Sequence, residues 1–310
     1  MIKLHNFSVL KPVIPRRIQI IIRRALIRRK LQRYEHIWPV NPNSAQPPEG
    51  WSGWPEGKKF ALVLTHDVDT QKGHDRCHIL AELEERLCFR SSYNFVAEDY
   101  DVSPILQKHL LSKGFEIGQH GINHVNPFRT KQYFFERADK INHYLSKWNA
   151  VGFRSPSMYH NLEWIHHLKI EYDASTFDTD PFEPQPDGME TIFPFWVPDS
   201  SNQHGYVELP YTLPQDFLIF ILMKQKNINI WKAKLDWLAE HGGMALFITH
   251  PDYMNFSINE PHYDEYSPKY YEEFLTYIKT KYEGQYCHIL PKELSRWWKK
   301  NYSVTNSISK

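Results

Sequence analysis

The chain has 310 residues, 41% of them hydrophobic and 15% aromatic, with a formal net charge of +1. That is enough apolar material for a substantial core and excludes a wholly disordered chain. The three cysteines, Cys77, Cys88 and Cys287, are odd in number and lack a CxxC spacing, so no disulfide framework is implied and a reducing compartment is expected.

The first 34 residues form a basic segment: every charged side chain before Glu35 is Lys or Arg. The run RRIQIIIRRALIRRKLQRY reads as a helix, but its arginines and isoleucines do not separate cleanly around a helical wheel. Such a segment can touch an anionic membrane surface or dock on the protein body with its arginines in water. Nucleic acid is not expected, because no nucleic-acid motif accompanies the charge. The N-terminus has no uninterrupted apolar core and no small-residue cleavage site, so it does not read as a secretory signal. No stretch reaches the roughly 20 apolar residues of a membrane span. FLIFILM, Phe217 to Met223, is too short for one and is expected to be a buried element.

Residues 35–57 are rich in Pro and Gly and read as a connector, whose three tryptophans predict that it packs on something. From Lys58 to about residue 300, strands and helices alternate, leaving a tail at 301–310. Strands are predicted at Phe60–Thr65, Ser92–Val96, Phe115–Gln119, Val151–Arg154, Ile170–Ser175, Val207–Pro210, Met244–Thr249 and Tyr286–Leu290. Helices are predicted at His74–Leu87, from Ser103 to Gly114, and at Thr130–Trp148, Asn161–Leu168, Asn229–His241, Pro268–Lys281 and Leu294–Trp298. This alternation implies an α/β fold with a parallel sheet inside outer helices, at a size that suits a β/α barrel. A doubly wound sheet competes, but there is no glycine-rich phosphate loop to favour it.

Polar residues gather where the strands end, which is where β/α barrels build their sites. Strand one runs into Asp67 and Asp69, strand three into His120 and His124, and the next into Arg154 and Tyr159. Asp173, Asp178 and Asp180 follow a later strand, and His250 follows the strand at Met244–Thr249. Two imidazoles four residues apart signify little in a chain with 17 histidines. With a carboxylate they form a facial set that leaves metal positions open. Strand alternation puts Asp67 and Asp69 on one face and turns His66 away. Two carboxylates so placed repel unless something positive lies beside them, and a divalent metal and Arg154 would both serve. The plainer alternative is a pair of turn or capping residues.

Taken in order, these stretches resemble the motifs of the NodB-homology polysaccharide deacetylases, carbohydrate esterase family four. THDVD (65–69) is similar to the first motif, HGINH (120–124) to the second and RSPSMY (154–159) to the third. DASTFDTDPF (173–182) corresponds loosely to the fourth and THP (249–251) to the fifth. The resemblance covers roughly Lys58 to Leu290. It implies a distorted β/α barrel of about seven parallel strands, and a hydrolase that removes an N-acetyl group from an amino sugar. It implies that Asp69, His120 and His124 hold a divalent metal, usually zinc. It makes Asp67 the general base, paired with Arg154, and His250 the general acid. The backbone N–H near Tyr159 would help to hold the oxyanion. A fourth-motif aspartate would orient His250, with Asp178 or Asp180 favoured over Asp173.

The expected setting is cytoplasmic, at the inner membrane face if the basic segment binds there. The expected substrate is a nucleotide- or lipid-linked N-acetyl sugar used in surface polysaccharide or lipopolysaccharide assembly. Two other functions share the fold: hydrolysis of a non-sugar amide or ureide C–N bond, and carbohydrate binding by an inactive relative. Retention of Asp67, Arg154 and His250 together argues against the last, since a binder needs neither base nor acid.

Overall fold

Strand β1 (Phe60–Val68) is buried along its whole length, because neighbours cover both of its faces and both of its edges. One edge pairs in parallel with β8 (Met244–Thr249) over Ala61–His66. The other edge is shared: β2 (Ser92–Phe95) takes Thr65–Val68, and β9 (Tyr286–His288) takes Phe60–Leu62. A run buried on both faces carries apolar residues continuously rather than alternately, as FALVL does here. The structure is a computed structural model and describes residues 15–200 and 204–302. Residues 1–14 of the basic segment and 303–310 of the tail lie outside the described residues.

From β1 the sheet continues through β2, β3 (Glu116–Gln119), β4 (Gly152–Phe153), β5 (Tyr172–Asp173), β7 (Gly205–Glu208) and β6 (Phe195–Pro198). All pairings are parallel except the β6–β7 hairpin. The sheet curls towards a barrel without closing as a full strand. Closure falls to the segment after β7: Tyr211 bridges to Phe177, and Leu213 bridges to Phe247 of β8. The distortion lies in this seam of single bridges. Strand β6 is the element that the sequence pattern did not reveal, and it is also the antiparallel one.

Outer helices cover the sheet. They are α2 (Gln71–Arg86), α3 (Pro104–Ser112), α4 (Lys131–Trp148), the single turn α5 (Leu162–Ile165), α6 (Asn229–Glu240), α7 (Lys269–Lys281) and α8 (Pro291–Tyr302). Helix α4 shows how the sequence sets them. Thr130 caps its start by accepting from Tyr133 N, and Asn149 ends it in the left-handed region. Its buried residues Phe134, Ala138, Ile141, Leu145 and Trp148 recur at helical spacing on one face.

The connector is packed down. Trp38 and Trp54 are buried, and Trp51 contacts Trp54, Phe193 and Trp298. The basic helix, here α1 (Arg16–Tyr34), also lies on the body, with Ile20 and Ile27 buried. It meets Phe217–Leu222, which is a fully buried π-helical turn. Among the described residues, no helix is long and apolar enough to cross a membrane.

Candidate active site

Because the paired strands around β1 run parallel, their C-terminal ends open on one side. Asp67, Asp69, His120, His124, Tyr159 and His250 all line one cavity there, of about 530 Å³. Asp67 is still within β1, and its neighbour across the sheet is Asn94 of β2. Asn94 donates to Asp67 Oδ1 at 2.9 Å, and Arg154 Nη1 donates to the same oxygen at 3.0 Å. The Asn94 side chain lies over Gly118 of β3, where an added Cβ would stand 2.0 Å from Asn94 Oδ1. Arg154 is itself fixed, donating to Thr65 Oγ1 and to Ala174 O at 2.8 Å each. Burial alone would raise the Asp67 pKa. Arg154 first, then His120, His250 and the Asn94 bond, outweigh it and hold the carboxyl below its ordinary value.

Asp69 reaches the same cavity, one residue past the end of β1. Its Oδ1 is buried and accepts no hydrogen bond, although His124 Nε2 and His120 Nε2 stand 3.3 and 3.5 Å away. Burial opposes its charge, but His124 and His120 hold the carboxyl well below the usual range. The ligand-type atoms of Asp69, His120 and His124 lie within 4.8 Å of one another. His120 Nδ1 bonds Arg154 O at 3.0 Å, which turns Nε2 toward Asp69. An orphaned buried carboxylate oxygen facing two imidazole nitrogens is the donor set a divalent transition metal takes. The residues therefore fit a metal.

Behind Asp69 stands Asp252, which sequence reasoning did not select. Its Oδ2 accepts from Asp69 N at 3.0 Å, and its Oδ1 accepts from Thr70 Oγ1 at 2.5 Å. Burial and then the charge of Asp69 push its pKa up to about 6.

His250, which lines the same cavity, is held by Asp216. The imidazole Nδ1 donates to Asp216 Oδ1 at 2.7 Å, and His250 N donates to Oδ2 at 2.8 Å. Tyr266 OH also donates to Oδ2, at 2.9 Å. With Nδ1 committed, Nε2 is the nitrogen left for the cavity. Burial works against the imidazolium, but Asp216, with help from Asp69 and Asp67, lifts the pKa to about 10.

Asp216 corrects the expectation for the fourth motif. Asp178 pairs with Lys234 at 2.5 Å, both side chains being buried. Asp180 accepts from Tyr211 OH and Phe182 N, and Asp173 accepts from Ser175. None of the three makes a hydrogen bond or ion pair with His250. Asp178 follows a strand that lies elsewhere in the sheet, whereas Asp216 opens the π-helical turn beside β8. A signal existed: Asp216 is the sole acid between Glu208 and Asp236, directly before an apolar run.

Tyr159 lines the cavity after a turn in which Ser157 and Met158 both take positive φ, 55° each. Two successive non-glycine residues in the left-handed region are strained. The Tyr159 N–H contact with Pro156 O is long, at 3.5 Å, so that donor is only weakly engaged. His66 points away, bonding Thr249 Oγ1 at 2.7 Å and Glu84 Oε1 at 3.0 Å. Glu208 is buried at the end of β7, does not line the cavity, and accepts from Thr176.

With this geometry in hand, solved structures supply the comparison. A candidate polysaccharide deacetylase from Mycobacterium smegmatis matches at a TM-score of 0.65 and 14% identity, over 85% of this chain and 98% of that one. A second candidate polysaccharide deacetylase, from Pseudomonas aeruginosa, matches at 0.61 and 15%, over 83% and 96%. The fold is the polysaccharide-deacetylase fold. The Puue allantoinase is similar too, at 0.61 and 13%, over 83% and 95%. No family model matches the sequence, and no curated protein matches it.

Proposed function

We propose that the protein is a metal-dependent hydrolase that removes the N-acetyl group of an amino sugar. The observation that carries this reading is one cavity that holds an Arg-paired Asp67, the orphaned Asp69 oxygen with two imidazoles, and an Asp-paired His250. Asp69, His120 and His124 would hold a divalent metal, zinc in the usual case for such a donor set. When bound, the ion supplies Lewis acidity to the acetyl carbonyl and makes water a better nucleophile.

The chain's own groups account for the proton movements. Asp67, kept ionised and aimed by Arg154 and Asn94, accepts a proton from the water that adds to the carbonyl carbon. The weakly engaged N–H of Tyr159 is available to the oxygen that becomes negative. His250 Nε2 gives its proton to the sugar nitrogen as the C–N bond breaks, because an amide anion leaves too poorly without it. Acetate and a free amine result.

The setting we propose is the cytoplasm, in assembly of a surface polysaccharide or lipopolysaccharide, with a nucleotide- or lipid-linked sugar as substrate. The free thiols of Cys77, Cys88 and Cys287 fit a reducing compartment. Peripheral membrane contact through residues 1–34 is part of the same proposal. Helix α1 keeps Ile18 and Ile21 exposed beside Arg17. Co-sedimentation with anionic vesicles, lost when Ile18 and Ile21 become Ser, tests this; no binding by the unaltered protein ends it.

The allantoinase similarity supports a second reading, hydrolysis of a ureide or non-sugar amide on the same scaffold. Acetate release from a panel of N-acetyl sugars, with a ureide panel alongside and with or without chelator, separates the two. Chelator-sensitive acetate release supports deacetylation. Turnover of the ureides alone supports the second reading.

A further inference from the structure

Two side chains in the cavity wall come from outside the barrel. Arg16 and Arg23 of α1 are seven residues apart, close to two helical turns, so they project from the same side. Both guanidinium groups lie over the ring of Phe217, with carbons 5.7 and 4.9 Å from its centroid. Arg16 Nη2 also donates to Tyr253 OH at 3.1 Å. Among the described residues, neither arginine takes part in an ion pair. Other contacts hold the helix down: Ile20 and Ile27 are buried, Arg24 Nε donates to Ile221 O at 2.9 Å, and Lys30 Nζ donates to Pro181 O at 2.9 Å.

The acid nearest in sign to a counter-ion for Arg23 is Glu183. Burial and then Asp180 push its carboxyl up to about 8, and Tyr211 and Gln215 already donate to it, so it is engaged with partners other than the guanidinium. Burial, and the charge of Arg16 alongside, hold the Arg23 guanidinium below its ordinary value even with Glu183 pulling the other way. On the Arg16 side, Asp264 is also in the wall, and it is bonded to His262 at 2.7 Å. Two guanidinium groups in one cavity wall, Arg23 half-buried and Arg16 more open to solvent, with no ion-pair partner among the described residues, suit an anion.

Position says which part of a substrate that anion belongs to. Phe217 directly follows Asp216, the partner of His250, and the Tyr253 ring lies 5.2 Å from the His250 ring. His250 serves the nitrogen of the amino sugar, so the sugar and whatever it carries lie on this side. We infer that Arg16 and Arg23 form an anion-binding subsite for a phosphoryl group attached to the amino sugar. The inference rests on the deacetylase reading for the sugar, but not for the anion. Two convergent planar donors suit the several oxygens of a phosphoryl or diphosphoryl group, whether its carrier is a soluble nucleotide or a lipid.

The test compares kcat/KM for acetate release from three substrates: methyl N-acetylglucosaminide, UDP-N-acetylglucosamine, and an N-acetylglucosaminyl diphosphoryl lipid in detergent micelles. The unaltered protein is expected to prefer at least one phosphorylated substrate by about tenfold or more, and which one identifies the carrier. R16Q/R23Q is expected to remove that preference, chiefly through KM, while the exposed control R28Q/R29Q keeps it. Calorimetric binding of inorganic pyrophosphate gives a readout independent of turnover, and R16Q/R23Q is expected to weaken it about tenfold. Pyrophosphate binding that is absent, or equal in the two proteins, overturns the subsite, as does a preference that survives in R16Q/R23Q. Arginine-dependent binding without acetate release from any substrate supports the subsite and refutes the deacetylase reading instead.

Discussion

In the proposed reaction His250 and Asp67 take opposite roles, and their neighbours differ accordingly. Burial disfavours charge on both, yet Asp216 keeps the imidazole protonated up to about pH 10, while Arg154 keeps Asp67 ionised below its ordinary range. A cation beside Asp69 would draw the His250 value down somewhat, but the Asp216 contribution would remain. The sign then follows: His250 is charged below its folded value and loses its proton as pH rises through it. Replacing Asp216 with Asn removes the group that raises this pKa, so the alkaline limb of the pH–kcat profile is expected to move to lower pH by about one unit or more. An unmoved limb would mean that His250 is not the acid. For Asp67→Asn, kcat is expected to fall by about 10²- to 10⁴-fold with metal content unchanged, since the side chain keeps its shape, is not among the proposed metal donors, and loses both its basicity and the charge paired with Arg154. Metal analysis beside steady-state rates checks both halves.

At the scale of elements, β1 organises two different polar layers. One face carries Asp67 toward the cavity. The other carries His66 toward Glu84 of α2, whose buried carboxylate also accepts from Ser91, Tyr93 and Tyr271. Burial opposes the Glu84 charge, but His66, then the hydroxyls of Tyr271 and Ser91, hold its pKa below the ordinary value. Its contribution to stability is therefore present above the usual carboxylate range and is lost as pH falls through the folded value. Glu84→Ala leaves four polar groups without their acceptor and is expected to cost about 3–5 kcal/mol, seen as a lower urea midpoint at neutral pH. A loss under about 1 kcal/mol would contradict this account of the layer. Helix α2 also carries Gly73, where a Cβ would stand 2.0 Å from Asp252 Oδ2. Gly73→Ala is expected to push Asp252 off the Asp69 N–H and weaken metal binding by about 10- to 100-fold in chelator competition, with the fold retained. Unchanged affinity would show that Asp252 does not position Asp69.

Across the whole molecule, what could be read in advance follows the range of the forces involved. Short-range regularity was legible: Met244–Thr249 and the capped start of Pro104–Ser112 lie where periodicity and capping put them. The pairing of Asp67 with Asp69 follows from strand alternation, and both do face one cavity. Strand β6 was not legible, because its partner β7 decides that FWVP is extended. Nor was Asp216, whose value comes from the seam that carries the chain past β8 and not from any local spacing. The basic helix is the sharpest case. Composition left open a membrane contact or a helix docked on the body with its arginines in water; the helix does lie on the body, but that Arg16 and Arg23 line the cavity follows only from packing. The measurement closest to the central claim is joint quantification of acetate and free amine from an N-acetyl amino sugar, with bound metal assayed in the same samples. The expected result is equal amounts of both products, formed by metal-loaded protein, abolished by chelator and nearly abolished in Asp67→Asn. Release that ignores the chelator and survives in Asp67→Asn, or no acetate from any N-acetyl sugar, would contradict the account.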